Sequence, residues 1–387
     1  MIFFMVMPAM VGGFGKLKFY TKQMFKHNLF FVYWSIIISS AQRNKYKKIL
    51  SYCAQRKLLT KNMSTIQNKS KLNYYSSYLA GLIEGDGTLA IKNITPSGLG
   101  KNNYNPKIIV VFKKSDLPFV EFLQKLTGCG LILPKPNRGY ILWQIQDIVG
   151  VYKIANLING HMRTPKYEAL KRLIEWLNDY IIKNKNSKLP KTQEILSKIK
   201  TIFLKPLDNS SIESNGWLSG FTDADGNFSI NVHQRKNKNL RVQLFFRIEV
   251  NQTYHKFKKL KNQKEEFNVR PSYFSEKPEI AIEEKDQSFY IIINKIANYL
   301  GVGVYSRTRK RDDKEFYSYI VMGHNKGSIE KLICYFKDFP LMSSKYLDFK
   351  DWSYLYSLQK DLLITNLYLN KTIEIKKNFN KNRTQYN

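Results

Sequence analysis

The chain has 387 residues, 43% of them hydrophobic and 14% aromatic, which is enough apolar material for two packed domains and excludes a generally disordered polymer. Its 63 Lys and Arg against 30 Asp and Glu leave a formal charge of +33, well past what solubility requires, so the composition asks for a polyanionic partner: nucleic acid first, an anionic membrane surface second. Cys53, Cys129 and Cys334 lack metal-ligand spacing and cannot all pair, which argues against a disulfide framework or a zinc site and fits a reducing compartment.

The opening stretch, "MIFFMVMPAMVGGFG" over residues 1–15, is apolar but interrupted by Pro8 and glycines, and is shorter than the ~20 residues a bilayer span takes. "LFFVYWSIII", from Leu29 to Ile38, is again too short, and neither stretch has a signal-cleavage pattern. The text from Lys16 to Leu72 is otherwise basic and patternless, so residues 1–71 read as a leader outside the fold. Ile2 to Gly15 resembles a piece of cytochrome c oxidase subunit I, a membrane protein encoded in mitochondria, and the resemblance stops at Lys16. An intron reading frame continuous with its upstream exon would produce such a switch. The crowding of Lys, Asn, Ile, Tyr and Phe agrees with an A+T-rich, organellar source and a mitochondrial location.

Beyond the leader the chain repeats itself. "LAGLIEGDGTLAI" at Leu79–Ile91 recurs as "LSGFTDADGNFSI" at Leu218–Ile230, and an aromatic, Tyr78 or Trp217, precedes each copy. Alternating residues follow the second copy, with Phe228, Ile230 and Val232 on one side and polar residues on the other, the period of a half-buried strand. Further strands are expected at "KIIVVF", "YILWQIQ", "LRVQLFFRIEV" and "FYSYIVM". Helices are expected at "PFVEFLQKL", "YEALKRLIEWLNDYI", "SFYIIINKIANYL", "SIEKLICYFKDF" and the segment after "PLMSSK". Each unit thus reads helix, hairpin, helix, hairpin, helix, over residues 72–182 and 216–362. Residues 183–215 form a polar linker, the stretch around Lys256–Gln287 a surface insertion, and 363–387 a basic tail that should fray.

Within each motif helix, Gly81 and Gly85 stand four apart on one face, as do Gly220 and Ala224, so two such helices can approach backbone to backbone. That packing brings Asp86 and Asp225 together at two helix C-termini, where the macrodipole disfavours a carboxylate by ~0.3–1 kcal/mol and a second carboxylate worsens it. A cation must offset this. Two carboxylates with the carbonyls of Gly85 and Ala224 form an oxygen-only set suited to Mg2+, which could activate water and stabilise the leaving oxygen of a phosphodiester. A single Asp-Gly serves equally well as a helix-ending turn, but two in register within so basic a chain favour chemistry.

These motifs resemble those of the LAGLIDADG homing endonucleases, specifically the double-motif proteins encoded within mitochondrial group I introns, over about Leu72 to Gln359. The resemblance implies an α+β fold of two pseudo-symmetric αββαββα units, whose antiparallel sheets form a saddle over double-stranded DNA. It makes Asp86 and Asp225 the metal-binding catalytic acids and leaves Glu84 and Asp223 outside the chemistry. It also implies a lysine beside each scissile phosphate, Lys166 of "HMRTPK" and Lys345 of "PLMSSK", and a water-ordering glutamine, Gln252 of "RIEVNQ". In the first unit Lys113 or Lys114 of "VFKKSD" stands where the glutamine would be. Base contacts fall by parity on Lys92 in the first unit. In the second they fall on Asn227, Ser229, Asn231, His233, Arg235, Arg241, Gln243 and Arg247.

The activity implied is that of a monomeric, magnesium-dependent double-strand endonuclease. It would cut the intronless exon junction, near the codons for Gly13, Phe14 and Gly15, and leave 3′ overhangs. The alternative is an RNA maturase that binds its own group I intron and assists splicing.

Overall fold

The computed structural model describes residues 65–91, 105–235, 238–254, 288–311, 314–361, 366–380 and 383; the leader through residue 64, Lys92 and the surface insertion expected around Lys256–Gln287 lie outside them. The first repeat runs α1 (Thr65–Asp86), β1 (Gly87–Ala90), β2 (Lys107–Lys113), α2 (Leu117–Thr127), β3 (Leu131–Lys135), β4 (Tyr140–Ile145), α3 (Ile148–Ile158) and α4 (Tyr167–Asn184). After the linker helix α5 (Pro190–Lys198), the second runs α6 (Trp217–Asp225), β5 (Gly226–Arg235), β6 (Lys238–Asn251), α7 (Tyr290–Leu300), β7 (Val304–Arg311), β8 (Lys314–Gly323), α8 (Lys326–Asp338) and α9 (Lys345–Asp361). Each repeat is therefore αββαββα with one further helix, α4, which follows Lys166, or α9, which begins at Lys345.

Both sheets are four-stranded and antiparallel, ordered β1-β2-β4-β3 and β5-β6-β8-β7. Period-two alternation sorts their faces: Ile108, Val110 and Phe112 enter the core while Ile109, Val111 and Lys113 point away, and Val242, Leu244, Phe246 and Ile248 do the same for β6. The punctuation of the two repeats also matches. Asp147 caps α3 by accepting from Gly150 N (2.6 Å) and Asn325 caps α8 by accepting from Ser328 N (2.8 Å). Gly128 and Gly301 close α2 and α7 in the left-handed region, at φ 64° and 69°.

The motif helices α1 and α6 touch through backbone. A Cβ on Gly81 would lie 2.1 Å from Trp217 O, one on Gly220 1.9 Å from Tyr78 O, and one on Gly85 2.2 Å from Ala224 Cβ. Only residues without bulk fit there, so the small-residue stripe is the seam between the repeats.

Two stretches differ from those expected, at the start of the first unit and in the tail. Helix α1 starts at Thr65, before residue 72. The linker is tied down, since Asn159 bonds Phe203 O (2.8 Å) and Lys205 N (2.9 Å) while Arg163 holds Asp208. The tail expected to fray over 363–387 instead forms α10 (Asn366–Lys377). Tyr368 and Phe379 are buried, Asn380 Nδ2 donates to Phe228 O (2.7 Å), and Arg383 pairs with Asp348 (2.8 Å). Buried aromatics at two points of an otherwise Lys- and Asn-rich segment supply the packing that composition concealed.

Candidate active site and nucleic-acid face

The next-to-last acids of the motifs are structural and cross-wired. Glu84 is buried and accepts from Arg163 N (2.9 Å), Thr164 N (2.6 Å) and Thr164 Oγ1 (2.7 Å), all from the loop that leads into Lys166. It also accepts from Trp217 Nε1 (2.5 Å), across the seam. Asp223 repeats the pattern, accepting from Met342 N (2.8 Å), Ser343 N (3.3 Å) and Ser343 Oγ (2.5 Å) ahead of Lys345, and from the Tyr78 hydroxyl of the other repeat. Burial pushes both acids up, against the pull of these donors. Each acid thus holds its own repeat's lysine loop and is satisfied by an aromatic from the other.

The two lysines land on the helix ends. Lys166 Nζ donates to the carbonyls of Ile83 (3.1 Å), Gly85 (3.3 Å) and Gly87 (2.8 Å). Lys345 Nζ donates to those of Thr222 (3.0 Å), Asp223 (2.9 Å) and Ala224 (2.8 Å). Each ammonium meets carbonyls at or just past the end of its helix and opposes the negative end of its macrodipole. Burial lowers the pKa of both, with Glu84, Asp225 and Asp86 opposing at Lys166, and Asp223 first among the opposing acids at Lys345. Part of the cation that the paired acids demand is therefore built into the chain.

Asp86 and Asp225 end α1 and α6 beside the seam, where Asp225 Oδ2 is 3.1 Å from the place a Gly85 Cβ would take. Asp225 is half-buried and is pushed up to about 6, by burial first and by the charge of Asp86 second, with Lys345 and Lys166 pulling down. Asp86 is exposed. Its own surface meets solvent, but desolvation by the protein packed around it raises its pKa, and Lys345, Lys166 and Lys113 oppose. Two carboxylates that disfavour simultaneous ionisation, beside main-chain carbonyl oxygens, fit a hard divalent cation. The Gly85 and Ala224 carbonyls each accept a lysine hydrogen bond and keep a second lone pair. Among the described residues no group of three or more His, Cys, Asp or Glu could hold a metal, so water and phosphate would complete the coordination of such an ion.

The polar strand residues of the second repeat share one face. Asn227 pairs with Arg247, Asn231 with Gln243 and His233 with Arg241, and Ser229 lies between them. Arg235 lies on β5 with its side chain outside the described residues. Gln252 donates its amide to Ser306 Oγ (2.7 Å) and has the parity of core-facing Val250. One residue of register puts Asn251 on the open face instead, lining a cleft of ≈ 730 Å³ with Asp225, Lys166, Arg247 and Glu249. In the first repeat, Lys113 rather than Lys114 has its charge felt at Asp86.

Strand β7 adds residues that sequence reading missed. Arg307 and Arg309 stand opposite Ser318 and Phe316, and together with Arg247 they surround Glu249 (Arg309 Nη2 to Oε1, 2.8 Å). Alternation in "VYSRTRKR" was the available clue; the run reads as a charge cluster until its period is noticed.

A duplicated αββαββα chain that sets one aspartate from each motif helix over a lysine at a shared seam, beside an arginine-bearing sheet face, has the make-up of a metal-dependent phosphodiesterase. The family described as LAGLIDADG endonuclease matches residues 79–177, 218–275 and 257–356, and the chain belongs to that family. It is 37% identical over its whole length to the intron-encoded DNA endonuclease aI3 of Saccharomyces cerevisiae, spanning 81% of that protein. It is 26% identical to an uncharacterized cox1 intron-2 protein of Schizosaccharomyces pombe, over 73% of this chain and 65% of that one. In three dimensions it resembles the LAGLIDADG homing endonuclease I-LtrWI, whose crystal structure is bound to target DNA. The match has a TM-score of 0.52 and 20% identity, covers 81% of this chain and 100% of that one, and speaks for the fold.

Proposed function

We propose that the chain is a site-specific double-strand DNA endonuclease that cuts the intronless exon junction of its host gene in mitochondria, leaving 3′ overhangs and promoting homing of its own intron. The observation that carries this reading is the pseudo-two-fold constellation of Asp86 and Asp225 over Lys166 and Lys345. Two phosphodiesters need two equivalent centres, and one chain holding both repeats supplies them as a monomer.

In this reading Asp86 and Asp225 bind Mg2+, which when bound would supply a lowered water pKa and charge stabilisation at the leaving oxygen. Lys166 and Lys345, fixed by their carbonyl partners, keep positive charge beside each phosphate without needing a flexible side chain to be ordered on binding. Arg247, Arg307 and Arg309 give the second sheet its affinity for the DNA, and Glu249 fixes their geometry. Both motif aspartates are present, which favours cleavage over intron-RNA binding alone.

The test is a linear duplex carrying the joined-exon sequence around the codons for Gly13, Phe14 and Gly15, incubated with the full chain and Mg2+. Staggered cuts on both strands at that junction are expected. Cleavage elsewhere would remove the target assignment, and no cleavage of any duplex would remove the nuclease reading.

A further inference from the structure

The open faces of the two sheets differ in chemistry. On the second repeat that face carries Asn227, Asn231, Arg241, Gln243, Arg247 and Arg309, side chains that reach guanine and adenine edges through paired hydrogen bonds. On the first repeat the described part of that face carries Ile109, in the place of Arg247, and Val111, in the place of Glu249, with Leu131, Leu133 and Leu142 beside them through the pairings Val111 with Leu142, Leu133 with Leu142, and Ile109 and Leu131 with Gln144, whereas Tyr305 and Ile320 stand where the second repeat matches Leu133 and Leu142. Val111 is 41% and Leu131 49% exposed. No arginine, asparagine or histidine stands on that face of the first repeat's strands among the described residues. Gln144 also stands on that face, its Nε2 donating to Gln146 Oε1 (2.8 Å).

This apolar strip is not a bare hydrophobic patch. Lys107 and Lys113 flank it on β2, Lys135 and Arg138 frame its far end, and Lys113 borders Asp86. Cations around an apolar centre suit a groove whose walls are phosphate and whose floor presents methyl groups. In the DNA major groove that group is the C5-methyl of thymine.

Resting on the endonuclease reading above, we propose that the two repeats read their half-sites by different chemistry. The first repeat selects thymines through methyl contact with Ile109, Val111, Leu131, Leu133 and Leu142, whereas the second selects purine edges, guanine above all, through its arginines and amides.

The test uses the full chain with Mg2+ and a duplex recovered by cleavage selection from a randomised library, with thymines replaced by deoxyuridine in one half-site at a time. Deoxyuridine keeps the pairing and removes only the methyl group. Against the unsubstituted duplex in the same tube, kcat/KM should fall by roughly three- to fourfold for each contacted thymine replaced under the first repeat, the factor equivalent to ~0.8 kcal/mol for one buried carbon. Replacement under the second repeat should leave it unchanged. Val111→Ser, on an exposed surface, should shrink the thymine preference at its own position while the second half-site is read as before. An equal or absent deoxyuridine effect in the two halves, with cleavage intact, would overturn the proposal alone. Recovery of no cleavable duplex would overturn it together with the endonuclease reading.

Discussion

Asp225 shows most clearly how the chain stores electrostatic demand. Its folded pKa of about 6 lies above the usual 3.8, so the folded state holds its proton more tightly than the unfolded chain does. The ionised carboxylate therefore costs no stability below about pH 4, a growing amount between about 4 and 6, and its full amount above that. In chelator, Asp225→Asn should stabilise the fold at about pH 7.5 by on the order of 1–3 kcal/mol, seen as a raised Tm, and the gain should vanish near pH 4. Thermal melting across that range checks it. A gain that persisted at low pH would mean that something other than the charge had changed. The neighbouring acids Glu84 and Asp223 carry no such demand on a ligand, because protein donors already satisfy them.

The α1–α6 seam holds the two repeats together through backbone contact. A methyl on Gly220 would lie 1.9 Å from the Tyr78 carbonyl oxygen, which is backbone and cannot rotate away. Gly220→Ala should force the helices apart at a cost of about 1–3 kcal/mol or more. Gly303→Ala, in open space by the same geometry, should be close to neutral. Urea unfolding of the two variants separates them, and equal midpoints would contradict the packing.

This seam was readable in the sequence because Gly81, Gly85, Gly220 and Ala224 recur at helical spacing in both motifs, and the aspartate pair came with it. Other elements were hidden for physical reasons. Strand β3, "LILPK", is short and contains proline, and α3, "IVGVYKIANLI", is rich in β-branched residues that imitate a strand. Helix α10 depends on a few buried aromatics within a polar text. The lysine caps were invisible for another reason: a motif can place Lys166 and Lys345 after their loops, but only three-dimensional packing returns them to the carbonyls of a helix that ended about 80 or 120 residues earlier.

As a whole, the molecule uses duplication to place two acids, two lysines and two sheets around one seam, and divergence to make the sheets unequal. The repeat-to-repeat bonds, Trp217 to Glu84 and Tyr78 to Asp223, tie each lysine loop to the other repeat, so the two centres are positioned as one body. The arginines of one sheet, and the lysines that frame the apolar strip of the other, account for part of the +33 charge in terms of a polyanionic ligand. On the endonuclease reading, Asp86 and Asp225 supply chemistry rather than affinity. This is tested most directly by measuring cleavage and binding of the joined-exon duplex for wild type, Asp86→Asn and Asp225→Asn in parallel. Each variant should lose at least ~10²-fold in cleavage rate while its Kd stays within a few-fold of wild type. Cleavage at the wild-type rate by either variant would contradict the account.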